Sequence, residues 1–146
     1  MKEKLVEFVG VDDRLLKRVR KSTNWSEEEL SEVFVAYKQF IELKVILKDW
    51  NALLLSPSLM VDQIWHLHVL DTKVYSRACL QLCDEIIHHD PDGDVDEGKR
   101  KLRVQRTKET FMDHFGYPCK GKMWYFENSE FMNHFLYNGC ISSKLK

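Results

Sequence analysis

Apolar positions recur along this chain at three- and four-residue intervals, and that spacing predicts helices. After Asp12 and Asp13, either of which can cap a helix, Leu15, Leu16 and Val19 mark a short amphipathic segment. Ser26 and Glu29 stand at capping-box spacing with Trp25 at the staple position. Leu30, Val33, Phe34, Tyr37, Phe40, Ile41, Lys44 and Val45 continue the pattern, so a second helix is expected to reach Leu47 or Lys48. Leu53, Leu54 and Leu55 then lead into Ser-Pro-Ser, where Pro57 suits the first turn of a third helix and Ser56 or Ser58 can satisfy its free amides. The spacing predicts that this helix runs unbroken to about Ile87. It would bury Val61, Ile64, Trp65, His68, Thr72, Tyr75, Cys79, Leu82, Cys83 and Ile86 against the second helix.

Asp90 to Gly98, DPDGDVDEG, combines proline, glycine and closely spaced acids and must interrupt the helical pattern. A basic amphipathic segment follows from Lys99, using Leu102, Val104, Phe111 and Phe115, and Gly116 with Pro118 ends it. A strip containing Trp124, Tyr125 and Phe126 precedes one more short helix from about Ser129 to Tyr137, and Lys144 and Lys146 mark a frayed end. The expected fold is therefore all-α: a compact bundle of about four to five helices with an irregular acidic loop and a C-terminal aromatic segment, forming one domain over residues 1–146.

Composition narrows the functional classes. A chain of 146 residues can bury roughly two thirds of its extended surface, and 44% apolar with 31% charged residues fits a globular protein. A formal net charge of -1 gives no overall drive toward nucleic acid, and the basic runs Arg14 to Lys21 and Lys99 to Lys108 read as solvated helix faces. No apolar run approaches the length of a membrane span, and no secretory leader opens the chain, so a cytoplasmic protein with reduced thiols at Cys79, Cys83, Cys119 and Cys140 is expected.

The chemistry worth weighing lies around Trp65-His66-Leu67-His68. Residues two apart on a helix differ in direction by about 200 degrees, so His66 and His68 do not readily share one metal ion. His68 falls on the apolar face with Trp65 and Tyr75, where a neutral imidazole can hydrogen-bond within the core. His66 lies one turn after Asp62 and can pair with it. A composite zinc or iron site would need His66 or His68 to meet His88 or His89, Asp90 and a group from the Phe115 to Cys119 loop across a folded-back turn. Cys79 and Cys83, four apart, read as small core hydrophobes, and Cys119 beside Lys120 as the exposed thiol. The alternating acids from Asp90 to Asp96 fail the EF-hand pattern, since Lys101 stands where its closing glutamate belongs.

Pro57, Val61, Asp62, Trp65, His66 and His68, continued by Leu70, Asp71, Thr72, Tyr75 and Cys79, resemble the VDxxWHxH tract of the glycine-rich domain-containing protein family. His88, His89 and Pro91 are similar to its HHxP element, and Phe115, Gly116, Pro118 and Trp124 to its FG…P…W ending. The resemblance spans about residues 54–124, with HHDPDGD in place of the family's aromatic loop. It implies a helical fold with an organised Trp-His region, and no secure enzymatic activity.

The chain thus reads as a binding or scaffold module rather than an enzyme, with no catalytic residues assigned. Asp62, Trp65, His66, His68, Tyr75, His88 and Trp124 form the expected pocket or partner surface. The partner expected is a protein or a small polar ligand, with a homodimer through an aromatic helix face as the form of self-association, and no membrane or nucleic acid. No cofactor is expected. The alternative is a metal-dependent hydrolase or other metalloprotein holding zinc or iron on His66, His68, His88 and Asp90.

Overall fold

The computed structural model describes residues 1–10 and 13–138. Seven α-helices run along them: α1 (Lys2–Val9), α2 (Arg14–Ser22), α3 (Glu27–Leu47), α4 (Leu59–Leu70), α5 (Thr72–Cys83), α6 (Glu97–Phe115) and α7 (Asn128–Asn138). A 3-10 turn at Lys122–Trp124 precedes the last, and no β-strand occurs among the described residues. A capping role for Asp12, the thiol of Cys140 and a frayed end at Lys144 and Lys146 lie outside them.

The all-α expectation holds, but the expected four to five helices become seven. One addition is α1, whose alternating Lys and Glu conceal two inward residues, Leu5 and Phe8, spaced three apart. The other arises because the long third helix is broken. At Asp71 the amide bonds to the His68 carbonyl instead of to Leu67, and φ and ψ of -87 and 76 degrees leave the helical region. Arg18 of α2 fills the vacancy, donating to the freed Leu67 carbonyl at 2.9 Å and to Asp71 Oδ2 at 3.2 Å, while Arg14 reaches the same carboxylate oxygen at 3.0 Å. The break turns Thr72, expected in the core, out to solvent.

Local signals elsewhere perform as read. Ser26 and Glu29 close a reciprocal capping box on α3, which ends at Leu47, and Gly116 ends α6 in the left-handed region at φ 82 degrees. Ser58, rather than Ser56, caps α4; Pro57 lies just outside that helix instead of in its first turn. Asp13 stands at the N-cap of α2 without a side-chain cap bond.

α3 is central and packs against α1, α4, α6 and the 3-10 turn, while α1 rests on α5 and α2 on α4. Tyr37, Phe40, Ile41 and Leu43 of α3 meet Val61, Ile64 and Trp65 of α4 in a core closed to water. The inward stripe of α6 is Arg100, Val104, Thr107 and Phe111, so the expected Leu102 is displaced and stands 66% exposed. Two polar residues on that stripe reach partners outside α6. Thr107 Oγ1 donates toward the Ser56 and Arg103 carbonyls at 3.2 and 2.8 Å and accepts from the Ser56 amide at 3.0 Å. Arg100 binds Glu127 at 2.6 Å and the Phe126 carbonyl.

Candidate functional site

The N-terminus of α4 is fixed before its functional side chains appear. Ser58 Oγ accepts from the Val61 amide at 3.2 Å and donates to the Met123 carbonyl at 2.6 Å, and the Leu59 amide donates to the Tyr125 carbonyl at 2.9 Å. One turn on, Asp62 faces outward and Trp65 inward. Trp65 Nε1 donates to Tyr75 Oη at 2.8 Å, and Tyr75 donates onward to the Ile87 carbonyl at 2.5 Å. This relay ties α4 to α5 and to the return segment after it. The His88 amide adds a bond to the Trp50 carbonyl at 2.8 Å.

The return segment delivers His89, with its Nε2 2.8 Å from Asp62 Oδ1 and its ring edge-on to Trp65 at a centroid distance of 4.5 Å. A carboxylate only accepts, so with Asp62 ionised Nε2 carries the proton and a neutral ring keeps Nδ1 as an acceptor. The pair lines a polar cleft of about 310 Å³ between the start of α4, the acidic loop, the start of α6 and the 126–128 segment. A smaller recess of about 40 Å³ leads from there to Trp65. Asp90, Asp94, Glu97 and Glu127 share the cleft wall with Arg100, so acids outnumber bases. The acidic loop is held by Arg103, which donates to the Gly93 carbonyl, and by the Asp92 amide donating to Asp90 Oδ1 at 2.9 Å.

Of the residues expected to form the pocket or partner surface, Asp62 and Trp65 line this cleft and its recess, and Asp90 of the expected metal set lines both as well. Asp62 pairs with His89, not with His66 as the one-turn spacing suggested; His66 is exposed, its ring 6.2 Å from that of His89. His88 is also exposed. Trp124 is buried against Phe111, centroids 5.0 Å apart, and lines neither the cleft nor its recess. His68 and Tyr75 are buried in the core, where His68 Nδ1 lies 2.8 Å from Tyr37 Oη and its ring is edge-on to Phe8 and Tyr75. Burial, with Arg18 second, pushes the His68 pKa down to about 4, against the opposing pull of Asp71, and burial raises Tyr37 well above the usual phenol range. Tyr37 is therefore the donor and His68 a neutral acceptor. His66, His68, His88 and Asp90 do not gather as ligands: among the described residues no group of three or more His, Cys, Asp or Glu can hold a metal ion.

The UCP032817-like family matches residues 1–120. The chain belongs to that family. The match contains α1 to α6 and stops short of the 126–128 segment that closes one side of the cleft. No curated protein and no solved structure matches the chain.

Sequence reading passed over a second buried polar unit, beneath Trp65 of the cleft's recess. Lys44 Nζ and Asp49 Oδ2 are 2.9 Å apart with both residues buried, and Lys44 lies 5.1 Å from the Trp65 ring centroid and 5.5 Å from that of Phe40. Asp49 accepts from the amides of Leu53, Leu54 and Leu55 at 2.8 to 3.0 Å. Burial presses its carboxyl upward, but Lys44 and the Leu55 and Leu53 amides outweigh burial and hold it below the ordinary range. The signal was Lys44 itself, a cation in step with the apolar stripe of α3.

Cys79, Cys83 and Cys119 are free thiols, and burial raises the pKa of each. Cys119 is half-buried rather than exposed, and the cation favouring its thiolate is Lys108, not Lys120.

Proposed function

We propose that this protein is a small helical binding module whose cleft beside α4 takes a small polar ligand carrying a cationic or N–H donor group. The observation carrying this reading is the Asp62–His89 pair, set on edge over Trp65 and lining a cleft where acids outnumber bases. Asp62 is about half exposed, so its free carboxylate edge is open to a donor, and Trp65 supplies a fixed apolar backing to the pair. In this reading the residues that touch ligand are Asp62, His89 and Asp90, with Trp65 positioning the histidine. Tyr75 serves the site from behind as the relay that sets Trp65 and Ile87, and His68 packs edge-on against Tyr75. The resemblance to the glycine-rich domain-containing proteins enters as a proposal of shared ancestry for the WHxH tract.

The test is a thermal-shift and calorimetric screen of the full chain against small amines and guanidinium compounds, with sugars and carboxylic acids as comparison sets. Cationic compounds should raise Tm and bind one per chain, and Asp62→Asn and His89→Ala should weaken them about tenfold, roughly the loss of one charge-assisted hydrogen bond. Preference for acids, or binding indifferent to both substitutions, would remove the cleft from the reading.

A further inference from the structure

Away from that cleft, the outer face of α3 carries a second feature that the other described residues leave uncovered. Val35 is 50% exposed and stands between two neighbouring hollows of about 330 and 370 Å³. Phe111, Trp124 and Pro118 wall the first, and Leu5, Val6 and Phe115 the second. Tyr117 and Gln39 belong to both, joined by a 3.1 Å hydrogen bond from Gln39 Nε2 to Tyr117 Oη that forms the ridge between them. The rim is basic. Lys2, Lys38 and Lys120 border the hollows, and none makes an ion pair with another described residue. The acid on the rim, Glu42, is already engaged by His114 at 2.5 Å.

We propose that this groove docks an acidic amphipathic helix of a partner protein. Two hollows flanking one ridge suit apolar side chains three or four residues apart on a helix, whose Cβ atoms lie about 5–6 Å from each other. Three uncompensated lysines around an apolar floor select carboxylates on the flanks of that helix. A second copy docked face to face would set lysines against lysines, which disfavours a symmetric dimer at this face. The acidic loop of another copy, with Val95 79% exposed between Asp94 and Asp96, is the competing occupant, and it would join copies head to tail.

The experiment is selection of a displayed random-peptide library, each insert about 16 residues or four helical turns, on the full-length protein, with counter-selection on Val35→Asp. Val35 and the three lysines are not fully buried, so the variants should keep the wild-type melting curve by circular dichroism. Selected peptides should carry Asp or Glu beside two apolar residues three or four apart. A fluorescein-labelled representative should bind with an anisotropy signal that raised salt diminishes, and that Val35→Asp or Lys38→Glu with Lys120→Glu weakens at least about tenfold. No enrichment over Val35→Asp, or enriched peptides without acidic bias, overturns the proposal. So does a native mass showing multimers that Val35→Asp dissolves, since the groove then belongs to another copy.

Discussion

Lys44 and Asp49 show how one residue's role depends on what its charge can reach. Two buried ions cost several kcal/mol each to desolvate, and they are tolerated here because the lysine meets a carboxylate and two aromatic faces, while the carboxylate also takes three amides. Lys44→Met keeps the volume but strands Asp49, and should cost about 3–5 kcal/mol in urea unfolding. His68 sets a pH dependence that arises from a group kept neutral. Its folded pKa of about 4 lies below the unfolded value of 6.5, so the unfolded state binds the extra proton in that window. Stability should therefore fall by about 3 kcal/mol as pH drops from 6.5 to 4, and His68→Gln should flatten that part of the curve.

At the scale of elements, the junction at Asp71 is held from outside. Asp71→Ala removes the acceptor shared by Arg14 and Arg18 and favours continuous helix, so it should lower the urea midpoint. Arg18→Ala should lower it further, because it also abandons the Leu67 carbonyl. The same contrast explains what could be read in advance. The Ser26–Glu29 box, the Ser58 cap and the Gly116 stop depend on neighbours within a few residues and were legible. The break at Asp71 depends on an arginine 53 positions away, and the inward turn of Arg100 and Thr107 on Glu127, Phe126 and Ser56. No periodicity carries such information. Within the site, the core place of His68 followed from its phase on the helix, whereas the Asp62–His89 pair needed the return segment after α5, and spacing alone favoured His66.

Over the whole molecule, the cleft is a meeting of distant segments, from Ser56 to Asn128, and Arg100 holds two of its sides together. Its guanidinium links α6 to the carbonyl of Phe126 and the carboxylate of Glu127, beyond the reach of the family match. Arg100→Ala should cost about 1.5–3 kcal/mol, the range for hydrogen bonds to a charged group, and should speed proteolysis near residues 126–130 before the rest of the chain. The groove on α3 and the cleft beside α4 share none of their lining residues, so the two could be occupied together. The turn from Asp49 to Leu55 shows how far irregular chain can be immobilised. Gathered by one carboxylate, the amides of Leu53, Leu54 and Leu55 should exchange slowly with deuterium, as those inside a helix do. A map of slow-exchanging protons drawn without coordinates would place a regular element there, where none exists.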